Sequence, residues 1–436
     1  MRPRPEQPGW GRLLPGGAGL VVAIALASGA QVVLREPPRT GSGTDDRPEN
    51  WSATGARAGV AESRVLVMKD LRRLPAGDAL FEGSVVRYRD GLGRPSAAQL
   101  SDVLAILPGE VPGLGVRREI EWRELGEAES TPTGRLELVD GQVLPGRPEP
   151  GPQDRESLGW RHARLGVVGV PLDSIRRLVL KPEAATVVNA ERDDVIVLIN
   201  GDQVRGIVDE VRFGSGEVSI DAAGRRSTIA LDRVVQVAFA NPGQAPAGAR
   251  LWLRDRSVVG VRALSFKDGE LACTPVLGAA ALKIPLGEVS ACAMASERLA
   301  PLSSLPPTRV QGEGGRVWTS PPAVGDATTA PLGAADIELP GPMSVSWELP
   351  ASAALVGFSA ELPPSARALG ECTLVGLVNG VEAVREPLSA GRPRVGVVIP
   401  VGGPSPAMLT LRVESGKGGP IQNRVLLRGA MVLLGG

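Results

Sequence analysis

Val197-Leu-Ile-Asn-Gly201, followed by Gly206, is the stretch on which the reading of this chain turns. Apolar residues alternate into a polar Asn-Gly pair, which favours positive φ and hence a tight hairpin between two half-buried strands. Two other segments share the layout: Leu136-Glu-Leu-Val-Asp-Gly141 leads to Gly146, and Leu251-Trp-Leu-Arg-Asp255 leads to Gly260. In each, a glycine stands six residues after Asp140, Asn200 or Arg254. A second block follows 23 or 24 residues beyond that glycine, as Val170-Pro-Leu-Asp-Ser-Ile175, Ile229-Ala-Leu-Asp-Arg-Val234 and Ile284-Pro-Leu-Gly-Glu-Val289. Two blocks at a constant offset define an internal repeat. A degenerate copy precedes them, with Gly83 six residues after Gly77 and Gln99-Leu-Ser-Asp-Val103 in place of the closing block.

Each copy reads as about five short strands in 50 to 60 residues, the content of a small β-barrel. The opening alternation, the Asp-Gly pair and the following glycine resemble those of Sm-like and SH3-like chains. The resemblance implies the shape of such barrels only, because the units lack the basic charge and reading signature that RNA binding requires. The expected organisation is a degenerate repeat at 61–115 and repeats at 116–185, 186–243 and 244–302, acting as an extended spacer. Ser303-Ser-Leu-Pro-Pro307 and Gly312-Glu-Gly-Gly315 then mark a boundary.

Composition narrows the function. The chain has 436 residues and zero formal net charge, so no basic field favours nucleic acid. His162 is the only histidine, which removes sites built on two imidazoles and leaves any Ser/His/Asp triad dependent on that residue. No C-x-x-C spacing links Cys273, Cys292 and Cys372. The sequence therefore points to no catalytic constellation, no metal and no cofactor. Cys273 and Cys292 fall in two strands of one repeat, where they are either a disulfide or small core residues.

Arg2, Arg4 and Arg12 precede an uncharged run from Leu13 to Leu34 with Ser28-Gly-Ala30 near its end. This is the pattern of a secretory signal over residues 1–30, cleaved or retained as a membrane anchor. Residues 31–60, broken by Pro37, Pro38, Gly41, Gly43 and Pro48, read as a disordered tether. The body is thus expected outside the cytoplasm: periplasmic, extracellular or anchored by its N-terminal segment.

Beyond residue 303 the strand pattern continues without the repeat. Seven to eight strands are expected, among them Met343–Leu349, Ala354–Leu362, Cys372–Asn379, Arg394–Ile399, Met408–Val413 and Val425–Leu434. Such a run of short strands argues a β-sandwich. Trp347-Glu-Leu349, Leu355-Val-Gly-Phe358-Ser-Ala360, Val378-Asn-Gly-Val381, Leu409-Thr-Leu-Arg-Val413 and Asn423-Arg-Val-Leu-Leu-Arg-Gly-Ala430 carry a resemblance. The layout from about Arg309 to Leu434 resembles the NPCBM/NEW2 family, carbohydrate-binding modules with a galactose-binding-like jelly roll. The resemblance implies a glycan ligand. It departs from the family at Pro363–Gly370 and at Gln422-Asn-Arg424, where acidic and aromatic residues are expected.

Trp318 and Trp347 are either sugar-stacking platforms or core residues. Gln422, Asn423 and Arg424 form either a polar ligand edge or a locally bonded loop. The whole reads as an all-β, exported, non-catalytic binding or scaffold protein of the bacterial cell envelope, with a glycan or an envelope protein as partner. Its alternative is a structural or protein-interaction module with no small ligand.

Overall fold

Four successive segments adopt one strand order. The computed structural model describes residues 63–109, 134–150, 157–186, 188, 190–267, 269–278, 280–312, 320–327, 330–402 and 406–435. The N-terminal apolar run, the tether and Trp318 lie outside them.

The first unit comprises β1 (Arg64–Met68), β2 (Arg73–Glu82), β3 (Val85–Arg89), β4 (Pro95–Gln99) and β5 (Val103–Pro108). The second comprises β6 (Gly134–Leu138), β7 (Val143–Pro148), β8 (Ser157–His162), β9 (Gly166–Pro171) and β10 (Ile175–Val179). The third comprises β11 (Asp194–Leu198), β12 (Gln203–Arg212), β13 (Glu217–Ala222), β14 (Arg225–Ala230) and β15 (Val234–Ala238). The fourth comprises β16 (Ala249–Leu253), β17 (Val258–Lys267), β18 (Glu270–Pro275), β19 (Leu282–Pro285) and β20 (Val289–Ala293). In every unit the first strand pairs with the second and the fifth, the second with the third, and the third with the fourth, all antiparallel.

A single 3-10 turn separates fourth from fifth strand, at Leu100–Asp102, Leu172–Ser174, Leu231–Arg233 and Leu286–Glu288. That turn carries the chain from the fourth strand to the far side of the first, and among the described residues the fourth and fifth strands of a unit do not pair, so the ladders do not close into the barrels expected from sequence. The chain is all-β, but the second edge of each closing strand stays open within its own unit.

The hairpin between first and second strand repeats atom for atom. A side-chain oxygen of Asp70, Asp140, Asn200 or Asp255 accepts the backbone N–H two residues on, at 3.1, 3.1, 3.2 and 2.9 Å. The intervening residue is left-handed each time: Leu71, Gly141, Gly201 and Arg256, at φ 60°, 84°, 86° and 68°. The residue before each turn donates to a carbonyl of the 3-10 turn: Lys69 to Asp102, Val139 to Ser174, Ile199 to Arg233 and Arg254 to Glu288. The equivalent of Asp140 and Asn200 is therefore Asp255. The glycine spacing had matched Arg254 instead, one residue out of register. Gly206 and Gly260 do different jobs, which explains the slip. A Cβ on Gly206 would lie 2.2 Å from the Asp221 carbonyl oxygen, whereas Gly260 lies against the Gln142 side chain of another unit. In the first unit Asp70 opens the turn, and Gly83 belongs to the next one.

The units are not strung out as a spacer. The open edges of the closing strands pair with each other: β10 with β15, through Leu178 opposite Val237, and β20 with β5, through Cys292 opposite Ile106. Both are pairs of equivalent residues, so each junction has a local twofold relation. Phe81 stacks on Phe266 with ring centroids 4.6 Å apart, and Arg64 Nη1 donates to the Val289 carbonyl at 2.6 Å. The order in space is first, fourth, second, third, and one apolar cluster runs through all four units.

The middle contact, between the fourth and second units, uses the hairpin turns. Val143 bridges Val258, again two equivalent residues. Gly260 N–H donates to Gln142 Oε1 at 2.8 Å, and His162 Nε2 lies 2.9 Å from Ser257 Oγ. Arg164 of the second unit pairs with Asp255 at 3.2 Å and with Glu288.

The C-terminal part is a two-sheet sandwich. After β21 (Leu299–Pro301), its strands are β22 (Arg309–Gly312), β23 (Ala323–Val324), β24 (Ile337–Pro340), β25 (Met343–Glu348), β26 (Ala353–Glu361), β27 (Cys372–Val378), β28 (Val381–Leu388), β29 (Arg394–Pro400), β30 (Met408–Ser415) and β31 (Arg424–Leu434). One sheet runs β23-β24-β31-β26-β29 with β21 also on β31, and the other runs β22-β25-β30-β27-β28. Phe358, Leu374, Leu411, Leu427 and Trp347 fill the space between them. The sandwich sits on the first unit: Leu71 packs with Met431 and Leu433, and a Cβ on Gly357 would lie 2.7 Å from Leu71 Cβ.

His162 gives the middle junction a pH dependence. Its Nδ1 accepts N–H bonds from Arg164 and Leu165 at 3.2 and 3.1 Å, so Nε2 carries the proton and donates to Ser257. Burial holds its pKa below the ordinary 6.5, with Asp255 opposing and Arg164 reinforcing the shift. The folded pKa is depressed, so the unfolded chain takes up the proton first. Stability is complete above about pH 6.5 and falls as the pH drops below that value. Thermal midpoints recorded from about pH 7.5 to about pH 5.5 are expected to fall in the wild type. The slope is expected to flatten in His162→Gln; equal slopes would contradict it.

Candidate functional site

The outer face of the β24-β31-β26-β29 sheet is divided along its length. Alternation puts Val356, Phe358, Ala360, Val425 and Leu427 into the core, and turns Leu355, Gly357, Ser359, Glu361, Arg424 and Arg428 outward. The apolar half of that outer face, Leu355 with Met431, Leu433 and Val398, is covered by the first and fourth units. The other half is polar.

Arg424 Nε donates to Glu338 Oε1 at 2.6 Å from neighbouring strands. Arg428 spans two carboxylates, with Nε to Glu361 Oε1 at 2.7 Å and Nη1 to Asp336 Oδ2 at 3.1 Å. Arg394 reaches the Ser359 hydroxyl at 3.4 Å. Glu361 is buried, whereas Arg424 and Arg394 are exposed. The result is a strip of alternating guanidinium and carboxylate groups, planar donors and acceptors beside one another. Each carboxylate named is already engaged by a guanidinium.

The sequence-derived residues divide. Arg424 belongs to the strip. Gln422 is exposed beside it, in a left-handed turn at φ 54°. Asn423 is 1% exposed; its Nδ2 donates to the Gly419 carbonyl at 2.9 Å, while Oδ1 lacks a hydrogen-bond partner. It pins the loop before β31 and is not a ligand edge. Trp347 is 2% exposed and packed between the sheets, so the platform reading gives way to the core reading. Its position on β25 opposite Leu409 turns the indole inward. Glu338, Glu361, Asp336, Arg394 and Arg428 were not singled out from sequence. The alternation of Arg424 and Arg428 with apolar residues in β31 was the available signal.

Cys273 and Cys292 are free thiols. They share one core, but β18 pairs with β17 and β19 while β20 pairs with β16 and β5, so the two are not cross-strand neighbours. Burial pushes the Cys273 thiol up to about 11 and Cys292 to about 12, which leaves both unreactive. His162 and Ser257 resemble half of a triad, but both are buried, and two backbone N–H groups occupy the nitrogen that a carboxylate would need.

No family model matches the chain, and no curated protein matches it. The solved structures it resembles include carbohydrate-binding modules. One is CBM51 from Clostridium perfringens GH95 in complex with methyl-galactose, at 10% identity and TM-score 0.25, covering 31% of this chain and 99% of that one. Tandem CBM51 modules of Sp3GH98 from Streptococcus pneumoniae SP3-BS71 match at 10% identity and TM-score 0.26, covering 69% and 88%. The catalytic unit of a GH87 alpha-1,3-glucanase from Streptomyces thermodiastaticus matches at 13% identity and TM-score 0.20, covering 31% and 25%. At these scores the architecture rests on the strand ladders themselves.

The division into core and edge is measurable. Trp347→Ala is expected to cost about 3–5 kcal/mol of unfolding free energy. Arg424→Ala is expected to cost under about 1 kcal/mol, as an exposed ion pair does. Denaturant titrations giving equal losses would show that the strip is structural.

Proposed function

We propose that this chain is an exported, non-catalytic binding and scaffold protein of the cell envelope, and that its C-terminal sandwich recognises glycans through the strip around Glu338 and Arg424. The observation that carries the reading is the divided outer sheet face. Its apolar half is used up in holding the first unit, and its polar half remains open at Arg424 and Arg394. Adjacent carboxylate and guanidinium groups place an acceptor beside a donor, the complement of vicinal hydroxyls. The strand layout from about Arg309 to Leu434, similar to NPCBM/NEW2 modules, supports the same ligand class. Export is supported by Arg2, Arg4 and Arg12 ahead of the uncharged run to Leu34.

A second reading, an assembly module with no small ligand, is favoured by the junctions between units. Every one of them joins equivalent residues, a geometry that also joins separate chains.

Screening the full chain on an envelope and plant glycan array tests the first reading. Retention of at least one glycan class is expected, weakened at least about tenfold by Glu338→Ala or Arg424→Ala with little change in thermal midpoint. Absence of retention on every glycan would remove the glycan reading and leave the assembly reading.

A further inference from the structure

We propose that the hairpin face of the third unit docks on the same face of a second copy of this chain, giving a twofold-symmetric dimer. The proposal rests on the arrangement of the four units and not on the glycan reading.

The β1–β2 hairpin face has four equivalents, and three of them pack at least one residue against another part of the chain. Those of the second and fourth units cover each other around the Val143–Val258 bridge. That of the first unit meets the sandwich through Leu71, only 2% exposed against Gly357, while Lys69, Asp70 and Arg72 stay exposed. The third is open: Ile199 is 58% exposed, and Asn200, Gly201, Asp202, Gln203 and Arg205 are all exposed. Val188 and Ala190 cover Val195 and Val197 on the same strand, and that cover ends before the turn. The side-chain bonds of the turn are internal, Asn200 Nδ2 to Asp202 at 2.6 Å and Arg205 to Gln203 at 3.4 Å. Among the described residues Arg205 makes no ion pair.

The occupant follows from the covered junction. There, equivalent residues meet across a local twofold, and the residue after the left-handed position reaches a residue three places further on in the facing unit. Gln142 Oε1 accepts the Gly260 N–H at 2.8 Å in this way. The turn hydrogen bonds make Asp202 the equivalent of Gln142, and the hairpin register makes Arg205 the equivalent of Gly260. Two third units placed in that relation set Asp202 of one copy against Arg205 of the other, twice, with Gln203 facing Gln203 on the axis. The charges are complementary, and the exposed Ile199 adds apolar contact at the rim. A contact of this kind is self-complementary and closes at two copies.

Analytical ultracentrifugation of the full chain over concentrations up to about 100 μM is the test, a range that captures dissociation constants from about micromolar upward. A reversible monomer–dimer equilibrium is expected. Arg205→Glu sets like charges together at both ends of the axis and is expected to weaken the dimer by at least about tenfold. The reciprocal double variant Asp202→Arg/Arg205→Glu is expected to restore it. These positions are exposed, and unchanged thermal midpoints would show that the variants fold. A wild type that stays monomeric, or an Arg205→Glu chain that dimerises like the wild type, would overturn the proposal. So would a double variant as weak as the single one.

Discussion

The pairing of closing strands, Leu178 against Val237 and Cys292 against Ile106, is the contact on which the rest of the molecule depends. A five-stranded ladder that ends on its fifth strand without closing has an unpaired edge, with backbone N–H and C=O groups that must find partners. Each unit meets that demand with the equivalent edge of another. Three of the four strands involved, β5, β15 and β20, are largely buried on both faces, while β10 carries Arg176 and Arg177 between its apolar residues. Every residue of β15 is buried, as are four of the five in β20, so joining them also removes Val and Leu side chains from water at about 1.5–3 kcal/mol each. Units this small are marginal alone, and the junctions turn four of them into one core.

The nesting order has a consequence for the sandwich. Because the first unit joins the fourth, chain entry and chain exit from the array come together, and the sandwich that follows the fourth unit lands on the first. Leu71, held left-handed at φ 60° by the Asp70 turn, fits against Gly357 where any side chain would collide. The outer sheet face is then spent on one half and open on the other. The strip of Glu338 and Arg424 owes its position to the same junction that holds the array together.

Much of this was legible in the residues. The alternation around Val197 and the recurring closing blocks gave the all-β class and three of the units. The core strands of the sandwich stand close to where their apolar runs put them. What escaped has physical reasons. The first unit replaces the turn glycine with Leu71, so the hairpin has no Asp-Gly signature, although Asp70 makes the same bond. β28 was missed because it is an outer edge strand whose Glu382, Arg385 and Glu386 face solvent and give no apolar period. Barrel closure was expected because strand number is visible in sequence while the direction of a three-residue turn is not. The strip of Glu338, Arg424 and Arg428 shows the same limit. Which face of a sandwich strand meets solvent depends on what packs against its sheet, and that partner is some 280 residues away at Leu71.

The folding-back of the array can be tested by a cross-link. In a Cys273→Ala background, Ile106→Cys places a thiol directly opposite the native Cys292, and antiparallel partners have Cα atoms about 4.5–5.5 Å apart, within disulfide reach. When the reduced, unfolded chain refolds in a glutathione redox buffer, where both thiols are accessible until the strands close, peptide mass spectrometry is expected to find residues 106 and 292 joined in a monomeric, folded product. Free thiols at both positions in the folded chain would contradict the account, because units arranged in sequence order would keep the first and fourth apart.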